Sequence, residues 1–135
     1  MSCRYGVDTN VLVRLAVEDD GHQLALVRDL LHRLGEDEAF YVNVAAVLEL
    51  SWVLTKGYGF APDRVLDFLQ AILENRAFEL SDYESVGNAI DLCRRTQADF
   101  SDALLAELNS AGGCLSTLTF DRKAARRIPA MELIP

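Results

Sequence analysis

The chain has 135 residues, half of them apolar and a quarter charged, enough for one domain that buries roughly two-thirds of its unfolded surface. Few glycines (8) and prolines (3) exclude a low-complexity chain, and charges break every apolar run short of the ~20 residues a membrane span needs. The net charge of −8 argues against nucleic acid as a partner only on average, because the distribution of charge matters more than its sum.

That distribution is uneven. Met1–Phe40 holds four bases and eight acids, a local −4, whereas Asp121–Pro135 holds four bases and two acids, a local +2. The first residues carry no apolar run before a small-residue cleavage site, so no secretory signal is expected. Cys3, Cys93 and Cys114 are odd in number, with no Cys-x-x-Cys pair. They read as free thiols, and the expected location is the cytoplasm.

Arg4–Val7 is a strand candidate, followed by Asp8-Thr9-Asn10, three residues suited to turns and helix caps. His22–Leu34 places Leu24, Val27, Leu30, Leu31 and Leu34 at helical spacing, and the tetrad Gly35-Glu36-Asp37-Glu38 reads as a loop. Phe40–Val42 predicts a strand, and Asn43 caps a helix Val44–Lys56 that Gly57 stops. Pro62 opens a helix to about Asn75, and Ala77–Leu80 is a short strand. Ser81-Asp82-Tyr83-Glu84 matches a capping box for a helix from Asp82 to about Thr96. Ala98–Phe100 is a short, ambiguous fourth strand segment, before a helix Ser101–Ala111 ended by Gly112-Gly113. Leu115–Phe120 is a strand, Arg122–Arg127 a basic helical turn and Met131–Ile134 a last strand. Strands alternating with helices predict an α/β fold with a mostly parallel sheet, in one domain spanning residues 1–135.

Ligands of open parallel sheets bind beyond the carboxyl ends of the strands. Sorted by that rule, Asp8, Glu49, Asp99, Asp102 and Asp121 fall toward one sheet edge from four sequence regions. Each also has a structural reading. Asp8 and Asp99 suit helix caps, and Asp121 suits a cap or a pair with Arg122. Glu49 is harder to dismiss, as the only charge between Val42 and Leu54 in an apolar helix. Unit charges about 4 Å apart repel by roughly 4 kcal/mol at an effective dielectric of 20. Gathering four carboxylates is therefore costly unless a cation joins them, and all-oxygen ligation points to Mg²⁺ or Mn²⁺.

Other chemistries lack support. His22 and His32 have no His-Glu-x-x-His spacing for zinc, no Gly-x-x-x-x-Gly-Lys loop cradles phosphates, and no serine has a nucleophile-elbow setting. Trp52, within the apolar helix, reads as core in preference to a base-stacking platform. Tyr58 and Phe60 either stand exposed in a loop or pack under the next helix.

Four stretches together resemble the PIN-domain nucleases: Asp8-Thr9-Asn10-Val11-Leu12, Val47–Leu54, Asp99–Ala106 and Leu118-Thr119-Phe120-Asp121-Arg122-Lys123, in order over nearly the full length. The size suits the toxin branch called VapC. The resemblance implies a three-layer α/β/α sandwich with Asp8, Glu49, Asp102 and Asp121 around a metal, a supporting hydroxyl at Thr119, and secondary polar roles for Thr9, Asn10 and Asp99. It further implies RNA cleavage leaving a 5′-phosphate and a 3′-hydroxyl, a homodimer, and a small antitoxin as partner. Arg122, Lys123, Arg126 and Arg127 are candidates for phosphate contacts, or else a solvated helix end. Three rivals stand beside this reading. An aspartate-nucleophile phosphatase resembles Asp-x-Asp where this chain has Asn10, and a phosphoryl-receiver module wants adjacent early acids and a later Lys-Pro. The third is an interaction domain whose acids bind metal without catalysis.

Overall fold

In a computed structural model that describes residues 3–135, the chain divides into two units, one ending at Ser81 and one running Asp82–Pro135. The first holds β1 (Cys3–Gly6), α1 (Thr9–Ala16), α2 (Gly21–Arg33), β2 (Glu38–Val42), α3 (Val44–Trp52), α4 (Pro62–Glu74) and β3 (Phe78–Leu80). A π-helical turn, Val53–Gly57, continues α3.

The three strands are parallel in the order β1-β2-β3, with Tyr5 opposite Phe40 and Phe40 opposite Phe78. Parallel neighbours need a crossover connection; α1 and α2 supply the first, and α3 with α4 the second. Alternation buries Phe40 and Val42 on β2 and Phe78 and Leu80 on β3. The two phenyl rings meet edge to face, 5.9 Å between centroids. Helix α4 starts with Pro62, whose missing N–H costs nothing in a first turn. It buries Val65, Leu66, Leu69, Ile72 and Leu73 along one stripe. Asp20 caps α2 through the Gln23 N–H (3.0 Å), and Asn43 caps α3 through the Ala45 N–H (2.8 Å).

The second unit holds α5 (Tyr83–Thr96), α6 (Phe100–Ala111), β4 (Thr117–Thr119), α7 (Arg122–Arg127) and β5 (Met131–Leu133), with β4 and β5 a parallel pair. Helix α5 buries Val86, Ala89, Ile90 and Cys93 and packs on α6, which buries Ala103, Leu104 and Ala106. Gly113, at φ 90°, takes the turn after α6 in a conformation that strains any residue with a Cβ. The α/β class and the parallel strands are as the alternating pattern predicts, the strands being shared between two parallel sheets. Among the described residues no helix is long and apolar enough to cross a membrane.

Four local expectations are corrected. Thr9–Ala16 is a helix, where the sequence reading goes no further than cap-forming residues at Asp8-Thr9-Asn10. The capping box at Ser81 does not form. The Ser81 hydroxyl accepts the Val44 N–H instead (2.8 Å), and Asp82, left-handed at φ 54°, precedes α5 without a side-chain cap. Ala98–Phe100 is not a strand; Phe100 already lies in α6. Trp52 is not core, being 62% exposed on α3.

Candidate metal centre

In the first unit, Asp8 follows β1 and occupies the position before α1, yet its side chain makes no capping hydrogen bond. An N-terminal carboxylate is ordinarily spent on the free N–H groups of the first turn. Here it is not. Thr9 is buried and Asn10 exposed. Helix α1 packs on α3, which carries Glu49 on its exposed surface, while Val47, Leu50 and Ser51 face inward. Neither Asp8 nor Glu49 has an ion-pair or side-chain hydrogen-bond partner among the described residues. Other acids of this unit do, as in Arg4–Glu79 (3.1 Å) and Arg33–Asp29 (3.0 Å).

In the second unit, three acids sit at two helix starts. Asp99 caps α6, its Oδ2 accepting the Asp102 N–H at 3.1 Å. Asp121 caps α7 through the Ala124 N–H (3.0 Å), and the Thr119 hydroxyl accepts the Asp121 N–H (3.0 Å). Thr119 therefore ties the end of β4 to the carboxylate that follows it. Asp102 is half-buried in the first turn of α6. Partial burial, and then the charges of Asp99 and Asp121, raise its pKa above the ordinary aspartate value. Helix starts, and not the end of a fourth strand, position Asp99 and Asp102. No lysine, arginine or histidine pairs with any of the three among the described residues.

Such an arrangement stores repulsion, and its pH dependence follows. The folded-state pKa of Asp102 lies above its unfolded value, so its contribution to stability is full at low pH. That contribution is lost as pH rises through the folded value. In metal-free protein, Asp102→Asn should therefore raise the melting temperature at neutral pH. The gain should vanish as pH falls below the usual carboxylate range. Parallel melting curves of the parent and Asp102→Asn across pH check this; an equal difference at every pH would contradict it.

The donor chemistry fits a hard divalent cation: oxygen donors only, deprived of protein counter-charges, with the most buried of them penalised by its like-charged neighbours. Among the described residues no three His, Cys, Asp or Glu side chains already form a group that could hold a metal ion. Cys93 adds no soft donor. It is buried, and desolvation, with Asp99 and Asp102 nearby, pushes its thiol up to about 11, so the thiolate that would bind or attack is suppressed.

The basic helix α7 exposes Arg122, Lys123 and Arg126 without ion-pair partners among the described residues. Arg127 has a structural engagement, donating from Nη1 to the Gln97 carbonyl (2.8 Å) at the end of α5. Phe60 lies under the Arg64 guanidinium of α4 at 4.0 Å, whereas Tyr58 is partly exposed. Beyond the residues the sequence reading singled out for the site, α3 and its π turn expose Trp52 and Lys56. An isolated large aromatic one turn from an unpaired acid was the available signal for Trp52, outweighed by the apolar run around it.

The family model of the PIN domain matches residues 5–129. The match spans all four acidic stretches. No curated protein matches the chain.

Proposed function

The chain belongs to the PIN-domain family, whose members are in general metal-dependent nucleases, and from that premise we propose that it is a Mg²⁺-dependent endoribonuclease. The observation that carries this reading is that Asp8, Glu49 and Asp102, acids within the matched residues 5–129, have no protein cation paired to them among the described residues, and the Asp8 side chain is not used as a cap. Asp8, Glu49, Asp102 and Asp121, at the acidic positions of the four motifs, would hold Mg²⁺, with Mn²⁺ as a substitute. Bound metal supplies a water of lowered pKa and neutralises charge at the phosphate.

The remaining work falls to the chain itself. Thr119 and the cap bond to Ala124 fix Asp121, and Asp99 orients the first turn of α6 through the Asp102 N–H. Thr9 and Asn10 follow Asp8 as supporting polar groups. Water attacks phosphorus and the P–O3′ bond breaks, leaving a 5′-phosphate and a 3′-hydroxyl. The unpaired carboxylates favour this chemistry over a phosphatase, since an aspartate nucleophile would need a second acid at Asn10. The motif resemblance extends the proposal to a single PIN-like nuclease domain over residues 1–135, acting as a VapC-type toxin in the cytoplasm. It also extends to a homodimer held inactive by a small antitoxin. Incubating matched RNA and DNA oligonucleotides with the protein and Mg²⁺ tests the substrate. Cuts confined to RNA, with ligatable 5′-phosphate ends, are expected; DNA cut equally fast would remove the RNA assignment.

Phosphate contacts on α7 make a separate prediction. Each such contact on a single strand contributes about −0.7 to the slope of log affinity against log salt. Replacing Lys123 and Arg126 with Gln should flatten that slope by roughly 1.4 if both engage the backbone. The cut positions should not move, because phosphates carry no base information. Binding titrations at four salt concentrations read the slope, and an unchanged value returns α7 to a solvated helix end.

A further inference from the structure

We propose that Trp52 is a stacking platform for an unpaired base of the RNA, seated on the same helix face as Glu49; this rests on the nuclease reading above. Residues three and four apart on a helix are surface neighbours. Trp52 lies three residues, about 4.5 Å along the axis, beyond Glu49. Lys56 follows four residues later in the π turn. All three are exposed, and neither charge has an ion-pair partner among the described residues. One strip of surface thus presents a carboxylate, a 62% exposed indole and a free ammonium.

Each member suits one part of a single-stranded nucleotide: the carboxylate a cation at the phosphate, the indole a base face, the ammonium a neighbouring phosphate. Single-strand binders combine aromatic platforms with basic groups in this way, and stacking tolerates any base because every base has a π-face. A protein partner would more simply be met by an apolar surround. Here the exposed neighbours one turn on, Thr55 and Lys56, are polar, and Leu48, one turn back, is half-buried. Exposing an indole also forfeits the burial that the apolar residues beside it in α3 obtain.

Trp52 is the only tryptophan in the chain, so intrinsic fluorescence reports this position alone. The test titrates full-length protein in chelator, to prevent cutting, with an end-labelled single-stranded oligoadenylate and with an abasic oligonucleotide of equal length. Label anisotropy reads binding and Trp52 emission reads stacking. Expected are quenching by oligoadenylate but not by the abasic strand, and an affinity loss of roughly 5- to 150-fold in Trp52→Ala. Trp52→Phe should recover most of that loss. Binding without quenching, or equal affinity in Trp52→Ala, overturns the stacking role and leaves the nuclease reading standing. Emission that shifts with protein concentration alone, and not with RNA, would place a second copy of the chain on Trp52 and overturn it too. Absence of both binding and cleavage in Mg²⁺ overturns both.

Discussion

Asp8→Asn should lower RNA cleavage at least ~100-fold, the loss expected when several kcal/mol of metal-borne charge stabilisation disappears. Stability should fall by less than about 0.5 kcal/mol. The two expectations separate because the Asp8 side chain makes no cap bond that Asn would have to replace, and Asn is itself a good residue at that position. Asp99→Asn is the control. Its cap bond to Asp102 survives the substitution, since an amide oxygen still accepts the N–H. A far smaller loss of rate is therefore expected. Equal losses would move Asp99 among the groups that hold the metal, and an Asp8→Asn protein as fast as its parent at saturating Mg²⁺ would remove Asp8 from them. Single-turnover cleavage and a melting curve on each variant suffice.

The second large effect is thermodynamic. A cation that binds only the folded chain adds about 2.7 kcal/mol at 100 times its dissociation constant. For a chain of this size that corresponds to a rise on the order of 10 °C in melting temperature. The four proposed ligands carry a charge equal to half of the net −8, so two divalent ions would halve the net charge. Relief of the repulsion between Asp102 and its neighbours Asp99 and Asp121 would contribute to that gain. Melting curves in chelator and in millimolar Mg²⁺ or Mn²⁺ read it directly. An unchanged melting temperature would contradict a carboxylate metal site.

Much of this was legible in the sequence because period and punctuation agreed. Pro62 and the apolar stripe from Val65 to Leu73 fix α4, Asn43 fixes the start of α3, and the glycine pair fixes the end of α6. Where they disagreed, the reading failed. Thr9–Ala16 is short and apolar on successive residues, so no clear period marks α1, and its burial of Leu12 and Val13 is set by distant elements. The Ser81 hydroxyl was available to two backbone groups, and the non-local one at Val44 obtained it. The exposure of Trp52 is not legible in the sequence, because hydropathy averages over a helix and does not say which side meets solvent. The acids at the ends of β1 and β4 followed from the strand rule, and Asp99 was legible as the cap of the helix beside it, although Ala98–Phe100 is not the strand that precedes it in that reading. The state of Asp102 could not be read from spacing at all, since it depends on burial and on Asp121, far along the chain.

The most direct test of the central claim is cleavage of an end-labelled single-stranded RNA by the purified chain in chelator and across a Mg²⁺ titration, with Asp8→Asn in parallel. Cutting that is absent in chelator, saturates with Mg²⁺ and is lost in Asp8→Asn is the predicted result. Cutting that persists unchanged in chelator, or that Asp8→Asn retains in full, would contradict a metal held by these carboxylates.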